Sequence, residues 1–131
     1  MSTVFDTEAL LSFYLGEPGG KMVQERLEEV VRGDRMGYLN VVNLAEFYYI
    51  LYRKSPSLAE EKERNLRGYG VEVVPVVDGG LWREAAETKA SHSLSLADAF
   101  AVATAKVKEA ELLVGRDAEF EGLDVPLERT G

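Results

Sequence analysis

Ser95-Leu96-Ala97-Asp98-Ala99-Phe100-Ala101-Val102-Ala103-Thr104-Ala105-Lys106-Val107 runs, after a short break, into Leu112-Leu113-Val114-Gly115-Arg116-Asp117. Leu96, Phe100, Ala103 and Val107 recur at close to helical spacing, which predicts a helix with an apolar stripe and with Asp98 in its opening turn. The second segment predicts a short apolar strand that stops at an acid, Asp117. Helix alternating with strand favours an α/β fold built on a parallel sheet.

Outward from this stretch the alternation repeats. Thr3-Val4-Phe5 is a short apolar run ending at Asp6, and a helix through Leu10, Leu11 and Tyr14 follows, closing near Gly16 and Pro18. Met22, Leu27, Val30 and Val31 predict a second helix, ended by Gly33. A strand around Gly37 to Val41 leads into a strongly apolar helix, Leu44 to Tyr52. Pro56 interrupts, a charged helix covers Glu60 to Leu66, and Gly68 and Gly70 punctuate. Val71 to Val77 is rich in β-branched residues, and Pro75 suits an edge strand. Leu81 to Lys89 reads as helix and Asp124 to Leu127 as a last edge strand.

With 131 residues and no repeat or linker, a single domain over 1–131 is expected. The 46% hydrophobic content is enough for one core without disulfides or a structural metal. Cysteine is absent, which removes thiolate sites and cysteine nucleophiles and is compatible with a reducing compartment. Met1 to Leu15 carries acids and no basic residue, unlike a secretory signal. No apolar run approaches the roughly 20 residues that span a bilayer. A soluble cytoplasmic protein with no membrane association is expected. The net charge of −8, from 23 acids and 15 basic residues, counts against non-specific nucleic-acid binding. Bound divalent cations would reverse that locally.

Four carboxylates hold equivalent places in this pattern. Asp6 and Asp117 directly follow strands, while Glu46 and Asp98 lie in the first turns of apolar helices. In an open parallel sheet, ligands bind in the crevice beyond the strands' carboxyl ends, so these distant acids can converge there. Clustered carboxylates repel and take up protons unless a cation intervenes. Mg²⁺ suits such oxygen ligands, and a bound metal supports phosphodiester hydrolysis without Cys, His or Ser. Structural explanations compete. Asn43 with Glu46, and Ser95 with Asp98, resemble capping boxes, and Asp6 and Asp117 could be N-caps or turn residues.

Together these segments resemble the PIN-domain ribonucleases, in particular the VapC-type toxins of toxin–antitoxin pairs. The residues that carry the resemblance are Asp6-Thr7, Asn43-Leu44-Ala45-Glu46-Phe47, Ser95-Leu96-Ala97-Asp98-Ala99 with Ala103-Thr104-Ala105, and Leu113-Val114-Gly115-Arg116-Asp117 followed by Phe120. The resemblance implies a three-layer α/β/α sandwich with a central, mostly parallel sheet. It implies one or two Mg²⁺ or Mn²⁺ ions on Asp6, Glu46, Asp98 and Asp117, single-stranded RNA as substrate, an antitoxin partner and a homodimer. Two departures stand out: Glu8 replaces a small polar residue, and Gly115 replaces Thr or Ser. Glu8 is read as a surface residue of a helix's first turn, with a fifth ligand as the other reading.

His92, the only histidine, is read as a surface or turn residue. Phe47, Tyr48, Tyr49 and Tyr52 suit a core helix, part of which could pack in a dimer. Arg53-Lys54 and Arg64 with Arg67 read as solvated surface, with guidance of a phosphate backbone as the other reading, and Arg116 as the better phosphate or partner contact. Gly19-Gly20-Lys21 is too short for a phosphate-cradling loop. A receiver domain would need an acidic pair after its early strand and a late Lys, and a haloacid-dehalogenase-type enzyme would need Asp-x-Asp. Neither fits. The competing function is a non-catalytic regulator of the same fold that binds RNA or protein.

Overall fold

Val4 and Phe5 are both wholly buried, yet they point into different cores on opposite sides of their strand. Leu113 likewise faces one core while Leu112 and Val114 face the other. Strands buried on both faces read as continuous apolar runs and require helices above and below. The computed structural model describes residues 1–77, 79–115, 120 and 122–130.

The described elements run β1 (Ser2–Phe5), α1 (Thr7–Tyr14), α2 (Gly20–Val31), β2 (Met36–Asn40), α3 (Val41–Lys54), α4 (Pro56–Gly68), β3 (Glu72–Val74), α5 (Gly79–Ser91), α6 (Leu96–Lys108), β4 (Glu111–Val114) and β5 (Leu127–Arg129). All five strands pair in parallel in the order β3-β2-β1-β4-β5. One core joins the sheet to α1 through α4, around Phe5, Leu10, Leu39, Phe47 and Leu66. The other joins it to α6, around Val4, Val102, Leu112 and Phe120, with α5 packed along α6. This is the expected three-layer α/β/α arrangement. No helix among the described residues is long and apolar enough to cross a membrane.

The chain leaves β1 toward β2 and β3 on one side and later returns to place β4 on the other. The order therefore reverses between β1 and β4. A crevice opens at such a switch point, beyond the carboxyl ends of the strands.

Several boundaries differ from the sequence reading. The helix expected from Leu44 begins at Val41, because Asn40 caps it: its side chain accepts the Val42 N–H at 2.8 Å. β3 covers only Glu72–Val74, although it does lie at the sheet edge, and the last strand is Leu127–Arg129 rather than 124–127. The expected stripe on α6 is also corrected. Leu96 and Val107 are 55% and 47% exposed, while Ala99, Ala101, Val102, Ala103, Thr104 and Ala105 are buried. A helix pressed between a sheet, α5 and α3 buries more than one stripe, and small residues allow that close approach.

Candidate active site

Asp6 is placed by the sheet. Its backbone is extended, and its N–H donates to Leu113 O at 3.0 Å, extending the β1–β4 pairing past Phe5 to the switch point. It also caps α1, as Oδ2 accepts the Glu8 N–H at 3.3 Å. The N-cap reading is therefore correct, but it accounts for only one oxygen. Asp6 is 1% exposed, and its buried Oδ1 accepts no hydrogen bond from any described residue.

Asp98 is the third residue of α6, where Ser95 Oγ accepts its N–H at 3.1 Å. Glu46 is the sixth residue of α3, in the second turn rather than the first. That correction removes the capping box proposed for Asn43 and Glu46, because the helix already starts at Val41 with Asn40 as its cap. Glu46 and Asp98 are half-buried. Together with Thr7, Glu8, Leu11, Ile50 and Ser95 they line one groove of about 300 Å³. Asp117, the fourth expected member, and Arg116 lie outside the described residues. Glu8 is exposed, as expected of a surface position, yet it belongs to the wall of this groove.

Small polar side chains lock the elements that carry the acids. Thr7 Oγ1 donates to Asn43 O at 3.2 Å, and Asn43 Nδ2 donates to Ala97 O at 3.0 Å, linking α1, α3 and α6. Asn40 Nδ2 donates to Thr104 Oγ1 at 2.9 Å, and that hydroxyl donates to Phe100 O at 2.7 Å. Asn40 therefore caps the helix of Glu46 and also grips the helix of Asp98. Sequence reading overlooked Asn40, gave Asn43 the wrong task and found no role for Thr104. The available signal was the recurrence of small polar residues at strand ends and among alanines.

Burial pushes the Asp6 carboxyl well above its ordinary range, and the nearby charges of Asp98, Glu8 and Glu46 push the same way. The Glu8 N–H opposes them. Among the described residues, no group of three acidic or histidine side chains stands ready-made to hold a metal ion. The donor chemistry nevertheless fits a divalent cation. Glu46 and Asp98 line one groove, their charges both push up the buried carboxyl of Asp6, and one oxygen of that carboxyl is left unmatched. His92 does not line this groove, and its Nδ1 lies 3.2 Å from Thr88 O.

A wholly parallel sheet with Asp6 at its switch point, and a groove lined by Glu8, Glu46 and Asp98, defines an α/β domain with a carboxylate-lined groove. The chain belongs to the PIN-domain family, whose model matches residues 3–126. Among solved structures, it is similar in fold to DNA-bound VapBC from Salmonella typhimurium (TM-score 0.79, 15% identity, 98% of each chain covered). It is also similar to VapBC2 from Rickettsia felis bound to a promoter DNA fragment (0.78, 14%, 100% of each). A third is FitAcB from Neisseria gonorrhoeae (0.71, 20%, 95% of each). No curated protein matches the chain in sequence.

Proposed function

We propose that this PIN domain is an endoribonuclease that depends on Mg²⁺ or Mn²⁺, cuts single-stranded RNA and is the toxin of a toxin–antitoxin pair. The observation that carries the reading is the unmatched, buried Oδ1 of Asp6 beside Asp98 and Glu46 at the switch point. A charge so placed is costly without a partner. Asp6, Glu46, Asp98 and Asp117 would hold the cation. When bound, such an ion lowers the pKa of a water and stabilises charge on phosphoryl oxygens.

The chain's own residues divide the remaining work. Asp6 is sealed from solvent and contributes charge at a fixed point. Glu46 and Asp98 are half-exposed and open to a water or to a phosphodiester in the groove. Thr7, Asn43, Asn40 and Thr104 hold the three helices in register, so the acids need little reorganisation.

The test is cleavage of single-stranded RNA oligonucleotides by the purified chain. Cleavage is expected with Mg²⁺ or Mn²⁺, to stop with a chelator, and to fall about 10²-fold or more in Asp98→Asn. No cleavage at any metal concentration would instead favour a non-catalytic regulator that binds RNA or protein, a reading to which the net charge of −8 lends weight.

The protein is further proposed to act in the cytoplasm, where an antitoxin covers the acid groove. The fold's likeness to the VapBC toxins supports such a partner. A second copy of the chain is proposed to pack on α3, whose Tyr49 and Tyr52 are 47% and 52% exposed.

A further inference from the structure

Glu8 and Gly115 meet from two different elements. Glu8 lies in the first turn of α1, and Gly115 follows β4, the strand paired with β1. A Cβ placed on Gly115 would stand 2.6 Å from Glu8 Cδ and 2.7 Å from its Cγ. Non-bonded carbons settle at about 3.5–4.0 Å, so no side chain at 115 can share this space with Glu8 as it lies. Gly115 is buried and does not have the positive φ that marks Gly16, Gly19, Gly33, Gly70 and Gly122. Backbone conformation therefore does not require glycine here, and what a side chain at 115 would displace is the end of Glu8.

Glu8 also separates two cavities. It lines the acid groove with Glu46 and Asp98, and a neighbouring cavity of about 290 Å³ with Ser12, Glu17, Pro18, Gly115 and Thr130. An exposed glutamate can swing toward water, and the acids beside it favour that escape. The open space over Gly115 instead lets its carboxyl end lie between the two cavities. The buried Oδ1 of Asp6, which accepts no hydrogen bond from any described residue, is a separate sign that a group is missing beside it.

Building on the metal-site reading above, we propose that Glu8 is a fifth carboxylate of the cation site, seated by the missing side chain of Gly115. The two positions then act as one unit. The added charge tightens divalent-cation binding, and any side chain at 115 weakens it by displacing Glu8.

The test is Mn²⁺ titration of the full chain by calorimetry at neutral pH, without RNA. Glu8→Gln is expected to weaken binding about 10-fold. Gly115→Ala keeps every acid and is expected to weaken binding to a similar degree, and the double variant should lose no more than either single one. Asp98→Asn separates the two ideas. If the wild-type chain binds no Mn²⁺, or Asp98→Asn does not weaken binding, the site reading itself fails. If Asp98→Asn weakens binding while Glu8→Gln or Gly115→Ala leaves it unchanged, or if their effects add, the Glu8 proposal is overturned. Should Gly115→Ala not fold, Glu8→Asp decides. It keeps the charge but loses the reach, and must weaken binding as Glu8→Gln does.

Discussion

Asp6 shows how one side chain can work against the fold that positions it. Burial, then Asp98, Glu8 and Glu46, raise its pKa well above the ordinary carboxylate range. In the unfolded chain it ionises near the usual value of about 3.9, whereas the folded chain keeps the proton to higher pH. The metal-free native state therefore loses stability as pH rises through that window, and the full penalty is present above the folded pKa. Asp6→Asn in chelator should be more stable than wild type at pH 8 by about 1–2 kcal/mol. The gain should vanish below about pH 4, where the wild-type carboxyl is protonated in both states. Thermal unfolding at the two pH values measures this, and an Asp6→Asn protein destabilised equally at both would refute the account.

At the scale of elements, the site depends on where α3 and α6 begin and how they are tied. Leu44 to Tyr52 showed in sequence that a helix exists, but not that Asn40 starts it. Asn40 gains its role from Thr104, 64 residues later, and no local pattern encodes that bond. Thr104→Val keeps the shape and leaves the buried Asn40 amide without that acceptor. The expected cost is about 1–3 kcal/mol, read from urea unfolding at unchanged slope. A loss below the error of that measurement would mean the bond contributes nothing. The misread stripe on α6 has a related cause. Periodicity identifies one buried face, whereas a helix covered on several sides buries its alanines and leaves Leu96 and Val107 outside.

Across the whole molecule, charge is used in two opposite ways. Arg35, with a side chain only 4% exposed, bonds Glu29 at 2.8 Å and Thr3 Oγ1 at 2.7 Å, while Arg26 joins Glu29 and Glu128 at 2.7 Å each. This network ties α2 to β1 and β5. The hydrogen bond from Arg35 holds Glu29 below the usual range, and that from Arg26 does the same for Glu128. Their contribution is present above the ordinary Glu value and is lost as pH falls through the lowered one, the reverse of Asp6. The acids of the network are matched by arginines, whereas the buried Oδ1 of Asp6 accepts no hydrogen bond from any described residue. The other whole-molecule feature is the aromatic surface of α3, where Tyr48 stacks on Tyr52 at 6.1 Å and Arg53 lies 5.1 Å over Tyr49. Light scattering after size exclusion should return a dimer at micromolar concentration, and Tyr52→Glu should shift it toward monomer. A wild-type chain that is wholly monomeric would remove the second copy from the proposal.

Alternating apolar strands and helices determined the α/β class, and acids at their junctions marked Asp6, Glu46 and Asp98 as candidates, because both features are written in local spacing. Which acids share a groove, which oxygen lacks a partner, and what a side chain at position 115 would meet depend on contacts between residues far apart in the chain. Glu8 and Gly115 each looked like a separate departure from the family pattern. Only the packing of α1 against the end of β4 made them a single feature, since steric exclusion acts between neighbours in space and leaves no periodic trace in sequence.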